Sequence, residues 1–348
     1  MTLRLGAVLL AALAACAGAD KKPPTTPAAP GQSMSDTGAP QGPAGQAQAA
    51  QPNASGPANV GTGPSDDPAN PQVSLPNYDP DPAQAKSQVE QHLQIARAAL
   101  ANQVPDGETA LREARAALSI DAANVDAAAM VAFAYYHKHL LDTAELVLDD
   151  LFKRESAKQN ANVYYVYGLV YDHTNRPDQA VLAFKKAVEL NPNHASALIN
   201  LGVHQLQNTQ YADALQSFER LVNQFGRADV VTLTSLGSAY RGHAADYPLG
   251  SPDHDDNIRR GEAAYKRALK ANASYGPAYY NLGLLYLDND PYPGLADPLV
   301  RLNQSKSYFE SYKNMPNVDM KLYDDRMKDV NRALKRVEKQ QKKKAKRS

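Results

Sequence analysis

Two groups of aspartates, eight histidines and one cysteine are the residues of this chain best suited to chemistry. Asp246, Asp253, Asp255 and Asp256 surround His254, and Asp288, Asp290 and Asp297 form a second group. Carboxylates packed this closely are the hard oxygen donors of a calcium site, yet neither group has the regular ligand spacing of a calcium-binding loop. Their spacing leaves two readings, solvated loops or an acidic edge (Asp253, Asp255, Asp256, Asp288, Asp290) that attracts a basic partner. His137-Lys138-His139 and Asp172-His173 are the other reactive pairs, and in sequence each stands isolated. No phosphate-binding glycine loop, nucleophile elbow or His-Glu-x-x-His helix accompanies them. Cys16 has no second cysteine to pair with, which excludes an intrachain disulfide and a four-cysteine zinc site. The expectation is therefore a noncatalytic chain with no cofactor and no metal.

Charge narrows the partners. Thirty-seven cationic and thirty-seven anionic side chains cancel, with a pI near 7.1, so there is no chain-wide basic field and nucleic acid is not expected. A local excess sits at Arg332, Lys335, Arg336, Lys339, Lys342, Lys343, Lys344, Lys346 and Arg347, opposed only by Glu338. That run could meet anionic lipid headgroups or lipopolysaccharide phosphates, or it could be a solvated helix end.

The position of the cysteine carries more than its number. Met1 to Ala15 has one early cation, Arg4, then an apolar stretch from Leu5 to Leu13 that is too short to span a bilayer, which is the form of a signal peptide over residues 1–15. Leu13-Ala14-Ala15-Cys16 resembles the bacterial lipobox, in which the cysteine becomes the first mature residue and carries acyl chains. With Ala17 rather than Asp next, the resemblance implies the outer membrane, with the folded part facing the periplasm. From Ala17 to about Pro82 the chain is Ala, Pro, Gly, Gln, Ser and Asn, which buries too little apolar surface to offset the entropy of ordering it. Residues 16–83 are thus expected to be the lipidated cysteine and a disordered Pro/Ala-rich tether spanning roughly 45 Å as a flexible coil.

Beyond the tether a period near 34 is visible. Tyr164, Tyr167, Gly168 and Tyr171 fall on one helical segment, Ala180, Phe184 and Ala187 on the next, and Asn191-Pro192 ends the unit. Leu198, Leu201, Gly202, Ala214 and Phe218 repeat the pattern. Two later units keep it at Leu233, Leu236, Gly237 and Tyr240 and at Tyr279, Leu282, Gly283 and Tyr286. Their second helices arrive late, at Gly261 and Leu302, after extra loops between Ala244 and Asn257 and around Asp288 to Pro298. Upstream, Ala132, Tyr135, Ala144 and Leu148 fit without the glycine, and a weaker first unit pairs Gln91–Gln103 with the segment of Ala110, Ala114 and Ala117.

This pattern resembles the tetratricopeptide (TPR) repeat. The resemblance implies an all-α fold, a right-handed helix-turn-helix solenoid of about six repeats over residues 84–314. Residues 315–348 would be a capping helix, from Val318 onward, and a basic tail. In that family a partner polypeptide lies along the wall made by the first helices, which here would present Phe133, Tyr136, Tyr165, Leu169, Ile199, Val203, Tyr280 and Leu284. His137, Asp172, His173, Thr234, Ser238 and Arg241 fall at further wall positions. Such a wall is mostly apolar and aromatic and lacks the Lys, Arg and Asn set that clamps a terminal carboxylate. The chain is similar in organisation to secretin pilotins and to myxobacterial gliding-motility TPR lipoproteins. The implied function is a noncatalytic scaffold for an envelope-spanning machine, of gliding motility or of type IV pili and secretion. The alternative is an accessory that positions enzymes of peptidoglycan synthesis or hydrolysis.

Overall fold

The computed structural model describes residues 81–102 and 104–346. The signal peptide, Cys16 and nearly all of the tether lie outside them. The described residues form thirteen α-helices: α1 Pro82–Ala101, α2 Gly107–Ile120, α3 Val125–His137, α4 Leu141–Leu151, α5 Ala161–His173, α6 Pro177–Leu190, α7 Ala195–Gln207, α8 Tyr211–Asn223, α9 Val230–Ala244, α10 Pro252–Ala271, α11 Gly276–Asp288, α12 Pro298–Lys313 and α13 Met320–Ala345. A 3-10 turn at Ala157–Gln159 lies between α4 and α5. The one β-bridge among the described residues, Tyr292 to Leu295, is isolated.

Local chemistry sets where the helices begin. Asp106, Asn124 and Asp229 each accept a hydrogen bond from the backbone N–H three residues on, at 3.0, 2.9 and 3.0 Å, which satisfies an otherwise orphaned donor. At the turns inside three consecutive pairs the chain reverses through His139, Asn175 and Thr209, with φ of 60, 59 and 58°. His139 is therefore a turn residue first.

Each odd-numbered helix from α1 to α11 packs on the even-numbered helix after it, giving six pairs, and the second helix of each pair packs on the first helix of the next. The result is a TPR-type helical solenoid. Its seams are lined by small residues, with Ala110, Ala114, Ala132, Ala144, Ala180, Ala187 and Ala214 wholly buried. In the four later pairs an aromatic ring of the second helix lies where a Cβ of the first would be. A methyl on Gly168 would sit 2.5 Å from Phe184, one on Gly202 2.9 Å from Phe218, one on Gly237 2.6 Å from Tyr265 and one on Gly283 2.7 Å from Phe309. All four rings are fully buried, a gain of about 2–3 kcal/mol each relative to exposure.

Several boundaries differ from the sequence expectation. α1 begins at Pro82, not Gln91, because Asp81 caps it and the proline suits a first turn. Part of the extra stretch before Gly261 is helix, from Pro252 onward. Ser251 Oγ accepts from the His254 N–H at 3.3 Å, Pro252 follows, and Asp253 and Asp255 stand in the first turn, where carboxylates offset the positive end of the helix dipole. Only residues 245–251 remain as an inserted loop. α12 likewise starts earlier than Leu302, at Pro298, with Asp297 accepting from the Leu299 N–H at 2.8 Å. The loop at residues 289–297 is pinned by Glu262, which accepts from Tyr286 Oη at 2.6 Å and Tyr292 Oη at 2.8 Å while the two rings stack 4.3 Å apart.

Gly168→Ala must push the Phe184 ring out of a close-packed seam, an overpacking cost of about 1–3 kcal/mol that outweighs the gain in helix propensity. The expected result is a lower thermal midpoint. In a double-mutant cycle with Phe184→Leu, the alanine should cost less in the leucine background.

Candidate functional site

The wall that a partner could reach is built from first helices. α3 packs on α5, and α9 packs on both α7 and α11, so side chains on successive odd-numbered helices meet across repeats. The Phe133 ring of α3 meets Tyr165 of α5 edge-on at 5.9 Å and stacks on Tyr136 at 6.1 Å. His137 stands edge-on to Phe133 at 4.6 Å. Tyr136 Oη is hydrogen-bonded to His173 Nδ1 at 2.9 Å, and Asp172 lies 3.4 Å from His204 Nε2 of α7. The two reactive pairs that stand apart in the sequence are therefore not isolated. They join one patch that crosses α3, α5 and α7.

Exposure divides this patch into a surface and a floor. Phe133, Tyr136, His137, Tyr165 and Ile199 are half-buried, Asp172 and His173 are exposed, and Leu169, Val203 and His204 are buried beneath them. Burial raises the Tyr136 hydroxyl, with Tyr165 and Asp172 adding to it, and pushes Tyr165 up to about 12, so both are neutral phenols that can donate. Burial also holds His137 below its ordinary value, helped by His139 and His173, and lowers His194, whose ring lies 4.7 Å from Tyr165. The wall is thus an aromatic surface on which burial favours the neutral imidazoles of His137 and His194, with Asp172 beside them.

Farther along, the wall changes. Thr234 and Ser238 of α9 are wholly buried, and Ser238 Oγ is within hydrogen-bonding distance, 3.1 Å, of Tyr265 Oη. Tyr280 and Leu284 of α11 do not line an open groove. They are 3% and 0% exposed because α13 lies on them, packing Tyr323 and Val330 into the same cluster, while Arg326 Nε donates to Tyr280 Oη at 3.2 Å. α13 occupies the place of a seventh first helix, so this end of the wall is already filled.

The aspartates also differ from their sequence reading. Asp253, Asp255 and Asp256 lie in the first turns of α10, where Asp255 flanks His254 at 3.1 Å and Asp256 pairs with Arg260 at 2.8 Å. Asp288 is the last residue of α11 and faces Arg241 at 3.4 Å. Asp290 holds Arg301 at 3.0 Å, and Arg301 Nη1 in turn donates to the carbonyls of Tyr286 and Leu287 at 2.6 and 2.8 Å. The two inserted segments do adjoin, since a methyl on Gly250 would lie 3.7 Å from Pro291. Most of their charge is answered within the fold. Among the described residues no group of three or more His, Cys, Asp or Glu is placed to hold a metal ion.

With this geometry in hand, residues 137–221 match the family model described as anaphase-promoting complex, cyclosome, subunit 3. The solved structure of pilF of Pseudomonas aeruginosa superimposes with a TM-score of 0.50 at 18% identity, covering 69% of this chain and 97% of that one. The structure of PilW, described as a widely conserved type IV pilus biogenesis factor, covers 62% of this chain and 91% of its own at 19% identity and a TM-score of 0.45. Among curated relatives, the human protein O-mannosyl-transferase TMTC3 is 27% identical over 135 residues, and the probable N-acetylglucosaminyltransferase SPINDLY of Hordeum vulgare is 26% identical over 137. The chain spans only 13% of the length of either relative. The family match and the pilF superposition agree with the TPR-type fold.

His137 and His194 are half-buried and held below their ordinary value when folded but titrate near 6.5 when unfolded, so the unfolded chain takes up protons first as pH drops. Stability should be level above pH 6.5 and fall as pH is lowered through it toward the depressed folded values. Thermal melts at pH 7.5 and 5.5 test this: the midpoint should drop, and His137→Phe should drop less.

Proposed function

We propose that this chain is a noncatalytic scaffold that holds a protein partner against the aromatic and imidazole patch of α3, α5 and α7. The observation that carries the reading is the joining of Phe133, Tyr136, His137, Tyr165 and His173 into one half-exposed surface on α3 and α5, which the Asp172–His204 contact continues onto α7, the helix of the half-buried Ile199. Tyrosine suits such a surface because it buries a large area for little lost rotamer freedom and keeps a hydroxyl to pair. Leu169 shares a cluster with the Phe133, Tyr136 and Tyr165 rings and Val203 one with Ile199, while Tyr280 and Leu284 lie beneath α13.

The finer reading is an outer-membrane lipoprotein, anchored through Cys16 and facing the periplasm, that supports assembly of an envelope-spanning machine of gliding motility or of type IV pili and secretion. Its support is the lipobox-like Leu13-Ala14-Ala15-Cys16, together with a fold shared with pilF over 97% of that protein. The transferase activities of the two curated relatives are not carried over, since the matched segment is a small share of each.

Crosslinking in the native host from a photoreactive residue at Ile199 tests both levels. Capture of a secretin, pilus or gliding component is expected, and His173→Ala with Ile199→Arg should reduce it at least about tenfold, the loss typical of a central contact, while helicity and melting stay unchanged. Undiminished capture would move the site off this wall, and recovery of murein synthases or hydrolases would favour the peptidoglycan role. Cys16→Ser should leave an uncleaved precursor that takes up no labelled acyl chain.

A further inference from the structure

α13 is two things in one helix. Its first part is docked: Tyr323 and Val330 are buried, and Leu322, Met327 and Leu334 are partly buried against α11 and α12. After Leu334 the helix runs on without a break to Ala345, about 17 Å at 1.5 Å per residue. In this second part every side chain but the half-buried Val337 is exposed. Because the docked part is fixed by packing, the direction of the projecting part is fixed as well.

The cations on that projection are not spread evenly. Lys335, Lys339, Lys342 and Lys346 follow one another at steps of four, three and four, which places them on one face of the helix, with Arg336 and Lys343 flanking them. Tyr323, Val330 and Leu334 fall at steps of seven and four on a different face, roughly a third of a turn away at 100° per residue. Glu338 is the lone carboxylate beside the stripe.

We propose that this lysine stripe is a docking surface for an anionic lipid bilayer, along which the projecting half of α13 lies. The chemistry favours a diffuse anionic surface over the other polyanions. The stripe has no aromatic ring on which a base could stack, and no apolar anchor of the kind that centres a protein interface. It is mostly lysine, a strongly hydrated point charge, rather than the planar arginine fork that pairs with individual phosphates. It also lacks the apolar face that would insert among acyl chains, so attachment is electrostatic, reversible and weakened by salt. This inference stands apart from the partner groove, which lies on other helices.

The test uses residues 17–348, so that neither an acyl anchor nor the apolar Leu5–Leu13 stretch contributes, and measures co-sedimentation with vesicles. Phosphatidylcholine vesicles with about one third phosphatidylglycerol should bind it at low salt, pure phosphatidylcholine should not, and about 0.5 M salt should release it. Replacing Lys335, Lys339, Lys342 and Lys346 with glutamine should lower the partition at least about tenfold. Replacing Lys86, Lys185, Lys270 and Lys321, an equal charge elsewhere on the surface, should not. Binding that ignores phosphatidylglycerol, or that the two quadruple variants lower equally, would overturn the proposal. So would tighter binding to double-stranded DNA than to the anionic vesicles at matched salt.

Discussion

The fold depends on one contact repeated four times, a ring of the second helix pressed onto a glycine of the first. Because Phe184, Phe218, Tyr265 and Phe309 each fill the space of a missing Cβ, the paired helices can neither slide nor separate without opening a void beside a large buried side chain. Fixing the spacing inside each pair also fixes which side of the first helix is left over. Phe133, Tyr165 and Ile199 come to one wall through this constraint. The second pair reaches a similar geometry with Ala132 and the fully buried Leu148, a smaller side chain against a small one.

Much of this was legible in the residues. Glycine, alanine and phenylalanine recurring near 34 residues specify helix pairs, and Asn191-Pro192 marks the end of one. The errors in the boundaries arose where capping chemistry was outweighed by the expected rhythm. Ser251-Pro252-Asp253 is a strong helix start, but it stands inside the stretch from Ala244 to Asn257 that the period assigns to a loop. Asp81-Pro82 is the same signal at the head of α1. A repeat can lengthen its second helix outward without disturbing the seam, so the period constrains the seam and leaves the helix end free.

The site was less legible, because its contacts are set between repeats rather than within one. Tyr136 meets His173 thirty-seven residues on and Asp172 meets His204 thirty-two on, distances on either side of the period. His173 stands out in a linear scan as half of an isolated Asp-His pair, but His204, one polar residue in an apolar stretch, does not. Tyr280 and Leu284 show the converse. Their type and spacing match a groove position, but only α13 decides whether that position is open, and its apolar stripe of Tyr323, Val330 and Leu334 is the residue-level sign that it is not.

The change of chemistry along the wall limits what it can hold. Rings and imidazoles occupy α3 and α5, small hydroxyl residues are sealed inside α9, and α11 lies under the cap. The reachable stretch therefore runs over three first helices only. At packing distances of about 9–10 Å between neighbouring helices it is about 20 Å long, which six extended residues cover at about 3.3 Å each. A ligand of that length gains little from area alone, since ordering a flexible segment consumes much of the contact energy. Affinity must then come from a few large side chains placed against Phe133, Tyr136 and Tyr165. A short apolar or aromatic motif within a longer partner satisfies that condition better than a broad, flat protein face does.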